Sequence, residues 1–119
     1  MPRHIESQIQ RTCKKWFDYQ YGQFAPLLFA VPNGGRRDAT TAAKLKAEGV
    51  VAGVADLILL KSNRDYGALL IEMKTRKGRQ RDSQKQWENT VCADSEYKYV
   101  VCRSFDDFKR EVDDYLKNE

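Results

Sequence analysis

Two apolar runs joined by a turn-rich linker, residues 53–78 (GVADLILLKSNRDYGALLIEMKTRKG), constrain this chain more than any other stretch. VADLILLK and ALLIEMKT have strand length and composition, and SNRDYG between them carries turn formers, so the pair reads as a β-hairpin. Strand side chains alternate faces. Leu70, Glu72 and Lys74 therefore share one face of the second strand, and Leu69, Ile71, Met73 and Thr75 the other. In the first strand Val54, Asp56, Ile58 and Leu60 lie together. Pairing Leu60 with Ala68 leaves a compact loop and sets Asp56 opposite Glu72, with Cβ atoms about 5 Å apart.

Like charges directly opposite destabilise a sheet, and in apolar surroundings a carboxylate pair costs more still unless positive charge compensates. Lys74 supplies one such charge. A divalent cation would supply the rest, since hard cations take oxygen ligands and magnesium is often held by one or two carboxylates plus substrate phosphate. The spacing fits a magnesium or manganese site in an enzyme acting on phosphodiesters. It fits equally a solvent-facing sheet on which Glu72 and Lys74 form an exposed pair. Asp56, with apolar neighbours on both sides in the partner strand, favours the site.

The flanking sequence predicts the rest of the fold. Ile5, Ile9, Cys13, Trp16 and Phe17 recur at helical spacing over residues 3–20. YGQFAP breaks that pattern, LLFAV (27–31) reads as a buried strand, and PNGGRR as a loop. DATTAAKLKAEG is a short helix between a capping Asp38 and a stop at Gly49. Helical character resumes over 81–93 around Gln84, Trp87 and Val91, EYKYVVCR is another strand, and Ser104 with Asp107 opens a last helix in capping-box fashion. Phe105, Phe108, Val112 and Leu116 form the apolar face of that helix. The order αβαββαβα predicts an α/β fold, a mixed sheet flanked by helices, as one domain over residues 1–119.

Composition bounds the partners. A formal net charge of +4 suits an anionic one. No apolar run approaches the ~20 residues that cross a bilayer, and MPRHIESQIQ lacks a signal-peptide core, so a soluble cytoplasmic protein without membrane association is expected. Cys13, Cys92 and Cys102 are odd in number and lack CxxC spacing, which predicts buried free thiols rather than a disulfide framework or a zinc site. Two segments suit phosphate contact. PNGGRR offers Asn33, accessible glycine amides, Arg36 and Arg37 before a helix N-terminus, although the same residues also make a plain loop. TRKGRQR brings Arg76, Lys77, Arg79 and Arg81 directly after Lys74. His4 is given no role, and Trp16 and Trp87 fall on apolar helix faces as core residues.

VADLILL followed by LLIEMKT resembles the D…(D/E)xK core of the PD-(D/E)xK nuclease superfamily. With ESQIQ, PNGGRR, the alanine–lysine helix, EMKTRKGRQRDSQKQW and YVVCRSFDDFKREVDDYL in that order, nearly the whole chain resembles a VRR-NUC domain of the stand-alone type found in phages and bacteria. Ala55 departs from the proline that often precedes the first Asp. The resemblance implies a restriction-endonuclease-like fold and a magnesium-dependent endonuclease, with manganese as a substitute, acting on structured DNA such as a Holliday junction. It implies Glu6, Asp56, Glu72 and the Met73 carbonyl as metal ligands, Lys74 as the residue that orients or deprotonates the attacking water, and Gln84 close by. Paired cuts in a symmetric substrate suit a homodimer. The competing readings are a non-catalytic basic DNA-binding module and an accessory subunit of a replication or repair complex.

Overall fold

A computed structural model describes residues 2–32 and 38–119, with side chains from residue 5 onward. The elements are α1 (Pro2–Gln20), a 3-10 helix (Gly22–Leu27), β1 (Leu28–Ala30), α2 (Ala39–Ala47), β2 (Leu57–Leu59), β3 (Ala68–Met73), α3 (Asp82–Val91), β4 (Tyr97–Cys102) and α4 (Phe105–Lys117). This is the expected order αβαββαβα, with a 3-10 helix added over the YGQFAP break. Lys14 holds that turn. Its Nζ donates to the carbonyls of Ala25 (2.8 Å) and Leu28 (2.7 Å) and pairs with Asp18 at 2.7 Å.

The sheet runs β1-β2-β3-β4, with β3 and β4 parallel and the other pairs antiparallel. The α/β fold with a mixed sheet flanked by helices is therefore the observed one. The hairpin pairs Leu57 with Ile71, Ile58 with Leu70 and Leu59 with Leu69. Extended by one residue at either end, this register sets Asp56 against Glu72 and Leu60 against Ala68, as the sequence predicts. Strand β2 is shorter than the apolar run and pairs over the same three residues with β1 on one side and β3 on the other. The linker closes as an Asx turn, Asn63 Oδ1 accepting from the amides of Asp65 and Tyr66. It is tied to α4, where the Tyr115 hydroxyl donates to the Lys61 carbonyl at 2.6 Å.

Every residue of the central strand β3 is buried, because helices cover both faces of the sheet there. On one face Leu57, Leu59, Leu69, Ile71 and Met73 pack against Cys13 and Phe17 of α1 and Phe108, Val112 and Tyr115 of α4. On the other, Ile58, Ala68, Leu70 and Tyr99 pack against Trp87 and Val91 of α3. Trp16 lies edge-on to Tyr21, Phe105 and Phe108, so both tryptophans are core residues, as expected. Helix α4 begins at Ser104, whose Oγ accepts from the Asp107 amide, while Asp107 Oδ2 accepts from the Arg103 amide one residue before the cap.

The burial decides between the two readings of the ExK spacing. Glu72 is 1% exposed and Lys74 8%. The face carrying them lies under α3, so they are not a solvent-exposed pair.

Candidate active site

Asp56 immediately precedes β2, and its Oδ2 accepts a hydrogen bond from the Met73 amide at 2.7 Å. That bond continues the β2–β3 ladder through a side chain and fixes the carboxylate beside Glu72, within hydrogen-bonding reach of it. Burial first, and then the Asp56 charge, pushes the Glu72 carboxyl up to about 8, with Lys74 opposing. The Lys74 ammonium lies 3.6 Å from Glu72 Oε2. The same oxygen accepts from Gln84 Nε2 at 2.7 Å. Glu72 Oε1 is buried and has no hydrogen-bond donor among the described residues.

Gln84 is oriented by the start of its own helix. Its Oε1 accepts from the Arg81 amide at 2.7 Å, which leaves Nε2 directed at Glu72. Turning the amide over would set a donor against the Arg81 N–H and an acceptor against the carboxylate. Arg81 has no side-chain acceptor. Only this reciprocal half of a capping box therefore forms, and it doubles as the support for Glu72.

Gly53 joins the two halves of the site. Its φ is +89°, and a Cβ there would stand 2.2 Å from the Ser83 carbonyl oxygen and 3.0 Å from the Gln84 amide nitrogen. Conformation and space both require glycine. The chain leading into Asp56 thus lies directly on the first turn of α3. The sequence reading gave Gly53 no role, and its one signal there is a glycine placed just before an apolar run. Behind the site, Gln80 Nε2 donates to the Tyr99 hydroxyl (3.1 Å) and to Glu88 Oε1 (3.0 Å). Burial, followed by the Glu72 charge, keeps the Tyr99 phenol protonated well above its ordinary range.

The structure thus brings Asp56, Glu72, Lys74 and Gln84 together, with the Met73 backbone adjoining. It does not gather Glu6 with them. Glu6 is half-buried on α1, and no group of three or more His, Cys, Asp or Glu side chains able to hold a metal forms among the described residues. Arg76, Lys77, Arg79 and Arg81 are exposed between β3 and α3. Asn33, Arg36 and Arg37 lie outside the described residues. The cysteines are free; Cys13 and Cys102 are fully buried as expected, but Cys92, at the end of α3, is only half-buried. No described helix is long and apolar enough to cross a membrane.

The donor set suits a hard divalent cation. Two carboxylates converge, one of their oxygens is buried without a donor, and either a proton or a cation between them would relieve the repulsion.

Comparison with known proteins agrees with the fold. A solved VRR-NUC domain protein matches with a TM-score of 0.81 and 25% sequence identity, over 96% of this chain and 89% of its own. No curated protein matches. The family model for the VRR-NUC domain matches residues 5–106. The chain therefore belongs to the VRR-NUC family, a nuclease-type domain whose partner is DNA.

Proposed function

We propose that the chain is a metal-dependent DNA endonuclease that hydrolyses phosphodiester bonds in structured DNA, a four-way junction being the leading substrate. The observation that carries the reading is the donorless Glu72 Oε1 beside Asp56, with the Lys74 ammonium 3.6 Å from the other Glu72 oxygen. A magnesium ion, with manganese as a substitute, would be held by Asp56, Glu72 and the Met73 carbonyl. Such an ion polarises the scissile phosphate and lowers the pKa of water.

The remaining work falls to side chains of this protein. Lys74 orients the attacking water and offsets charge developing on the phosphate. Gln84 holds the Glu72 carboxylate in one rotamer. Arg76, Lys77, Arg79 and Arg81, with Asn33, Arg36 and Arg37, take the flanking DNA backbone. Symmetric incision of a junction suits a homodimer acting in the cytoplasm of a bacterial or phage-infected cell. A purely binding module gains nothing from carboxylates buried where phosphate approaches, and burying them carries a cost.

The test is incubation with labelled duplex, flap, single-stranded and four-way-junction DNA, in magnesium, manganese or chelator. Cleavage is expected only with metal and only while Asp56 and Glu72 are intact. Metal-dependent binding without cleavage of any substrate would sink the enzymatic reading. Light scattering should give about twice the 13.8 kDa chain mass.

A further inference from the structure

Arg103 lies immediately after β4 and has no part in the site described so far. Its guanidinium Nη1 meets three backbone carbonyls of the segment after Lys74: Thr75 at 2.8 Å, Arg76 at 3.4 Å and Gly78 at 2.5 Å. Its own amide is held by Asp107 Oδ2 at 2.9 Å. The preceding carbonyl, that of Cys102, accepts from the Lys74 amide at 3.0 Å. Arg103 is thus fixed on the α4 side and grips the loop that Lys74 opens. A Thr75–Gly78 turn, the Gly78 amide donating to the Thr75 carbonyl at 3.1 Å, completes the grip.

We propose that Arg103 is a positioning residue for DNA-backbone binding: it gathers the loop carbonyls inward and so presents Arg76, Lys77 and Arg79 outward to phosphate. The proposal rests on the nuclease reading above. Carbonyl oxygens are the negative ends of their peptide dipoles, and left facing outward they would oppose an incoming phosphate. Turned onto a guanidinium they are neutralised by hydrogen bonds to a charged donor, which are stronger than neutral ones. Arg76, Lys77 and Arg79 are exposed, while Arg103 beneath them is half-buried. A loop rich in like charges repels itself, so it needs such a brace to stay in one shape. All three contacts fall on the one nitrogen Nη1, which is held in place by the rigid guanidinium plane, whereas a lysine ammonium on its flexible stem would have to be fixed by the carbonyls themselves.

The experiment compares wild type, Arg103→Ala and Arg103→Lys in two measurements. The first is limited trypsin digestion without DNA, since the loop itself carries exposed trypsin sites. Nicking after Arg76, Lys77 or Arg79 should rise about tenfold in Arg103→Ala, with the lysine variant between, as expected for a loop released from its hydrogen bonds. The second is steady-state cleavage of junction DNA. KM should rise about tenfold in Arg103→Ala while kcat stays within about threefold, and the log–log salt slope of binding should become shallower by about one to two. A loss confined to folding would instead lower the active fraction, leaving KM and the slope unchanged. That outcome overturns the proposal, as does unchanged nicking of the loop. If the wild type neither binds nor cuts DNA, the functional reading falls and the DNA-positioning role falls with it. The digestion ratio then still reports whether Arg103 braces the loop.

Discussion

Gln84 Nε2 and Glu72 Oε2 lie 2.7 Å apart, and the direction of that bond is set by the Arg81 amide, which donates to the other end of the same glutamine side chain. A helix start and a buried carboxylate thus share one residue. Leaving a buried hydrogen-bonding group unpaired costs about 1–3 kcal/mol, so Gln84→Ala should lose about that much in urea unfolding. Gln84→Glu should lose more at pH 8 than at pH 5, because it sets a third carboxylate against Glu72. Equal losses at both pH values would mean that charge at this contact is immaterial.

The raised Glu72 carboxyl should make the metal-free protein sensitive to alkali. Burial, and then Asp56, raises it from an ordinary 4.5 to about 8 in the folded state. The folded state therefore binds the proton more tightly than the unfolded one. The stabilisation is complete below pH 4.5 and is lost as the pH rises toward 8. In chelator, the melting temperature should fall between pH 5 and pH 9 by more in wild type than in Glu72→Gln. Magnesium should restore wild type at pH 9 and leave Glu72→Gln nearly unchanged. Parallel melting curves for the two proteins would show that Glu72 is not perturbed.

The contact between Gly53 and Ser83 leaves no room for a side chain. Overpacking at such a point, added to an unfavourable positive φ, should cost about 3 kcal/mol or more in Gly53→Ala. Any folded fraction should cut poorly, because the chain leading into Asp56 and the turn carrying Gln84 have been pushed apart. Denaturant unfolding together with activity per folded molecule checks both halves.

The hairpin register was legible because a period of two, an unbroken apolar run and a short linker leave few pairings open. Asp56 opposite Glu72 followed from it. The face those residues occupy was not legible from ExK alone. That depended on α3 lying across it, which is a tertiary fact. Gly53 and Arg103 escaped for the same reason. Each acts on backbone atoms distant in sequence, Ser83 in one case and residues 75–78 in the other. The 3-10 helix escaped because its hold comes from Lys14, whose spacing reads as an ordinary solvated lysine. Glu6 came from family likeness rather than from any local pattern, and it lies on a different helix from the elements that carry the carboxylate pair.

Lys74 and the loop that follows it should separate chemistry from binding. The lysine is buried beside Glu72, whereas Arg76 and Arg79 stand exposed a few residues on. On the proposed nuclease reading, Lys74 would act at the scissile phosphate, and the arginines on the flanking backbone. Each phosphate contact removed should lower the log–log salt slope of binding by about one, so Arg76→Ala with Arg79→Ala should lower it by about two. In Lys74→Ala, binding should stay within a few-fold of wild type, while cleavage should fall by about 10²–10⁴ for loss of a water-orienting or charge-stabilising group. Filter binding in calcium followed by cleavage in magnesium reads both quantities on one DNA. If Lys74→Ala cuts at near wild-type rate once saturated, the lysine belongs to binding. If binding and cutting fall together, its charge is felt by the whole DNA backbone rather than at the reacting phosphate, and burial beside Glu72 would not have confined it.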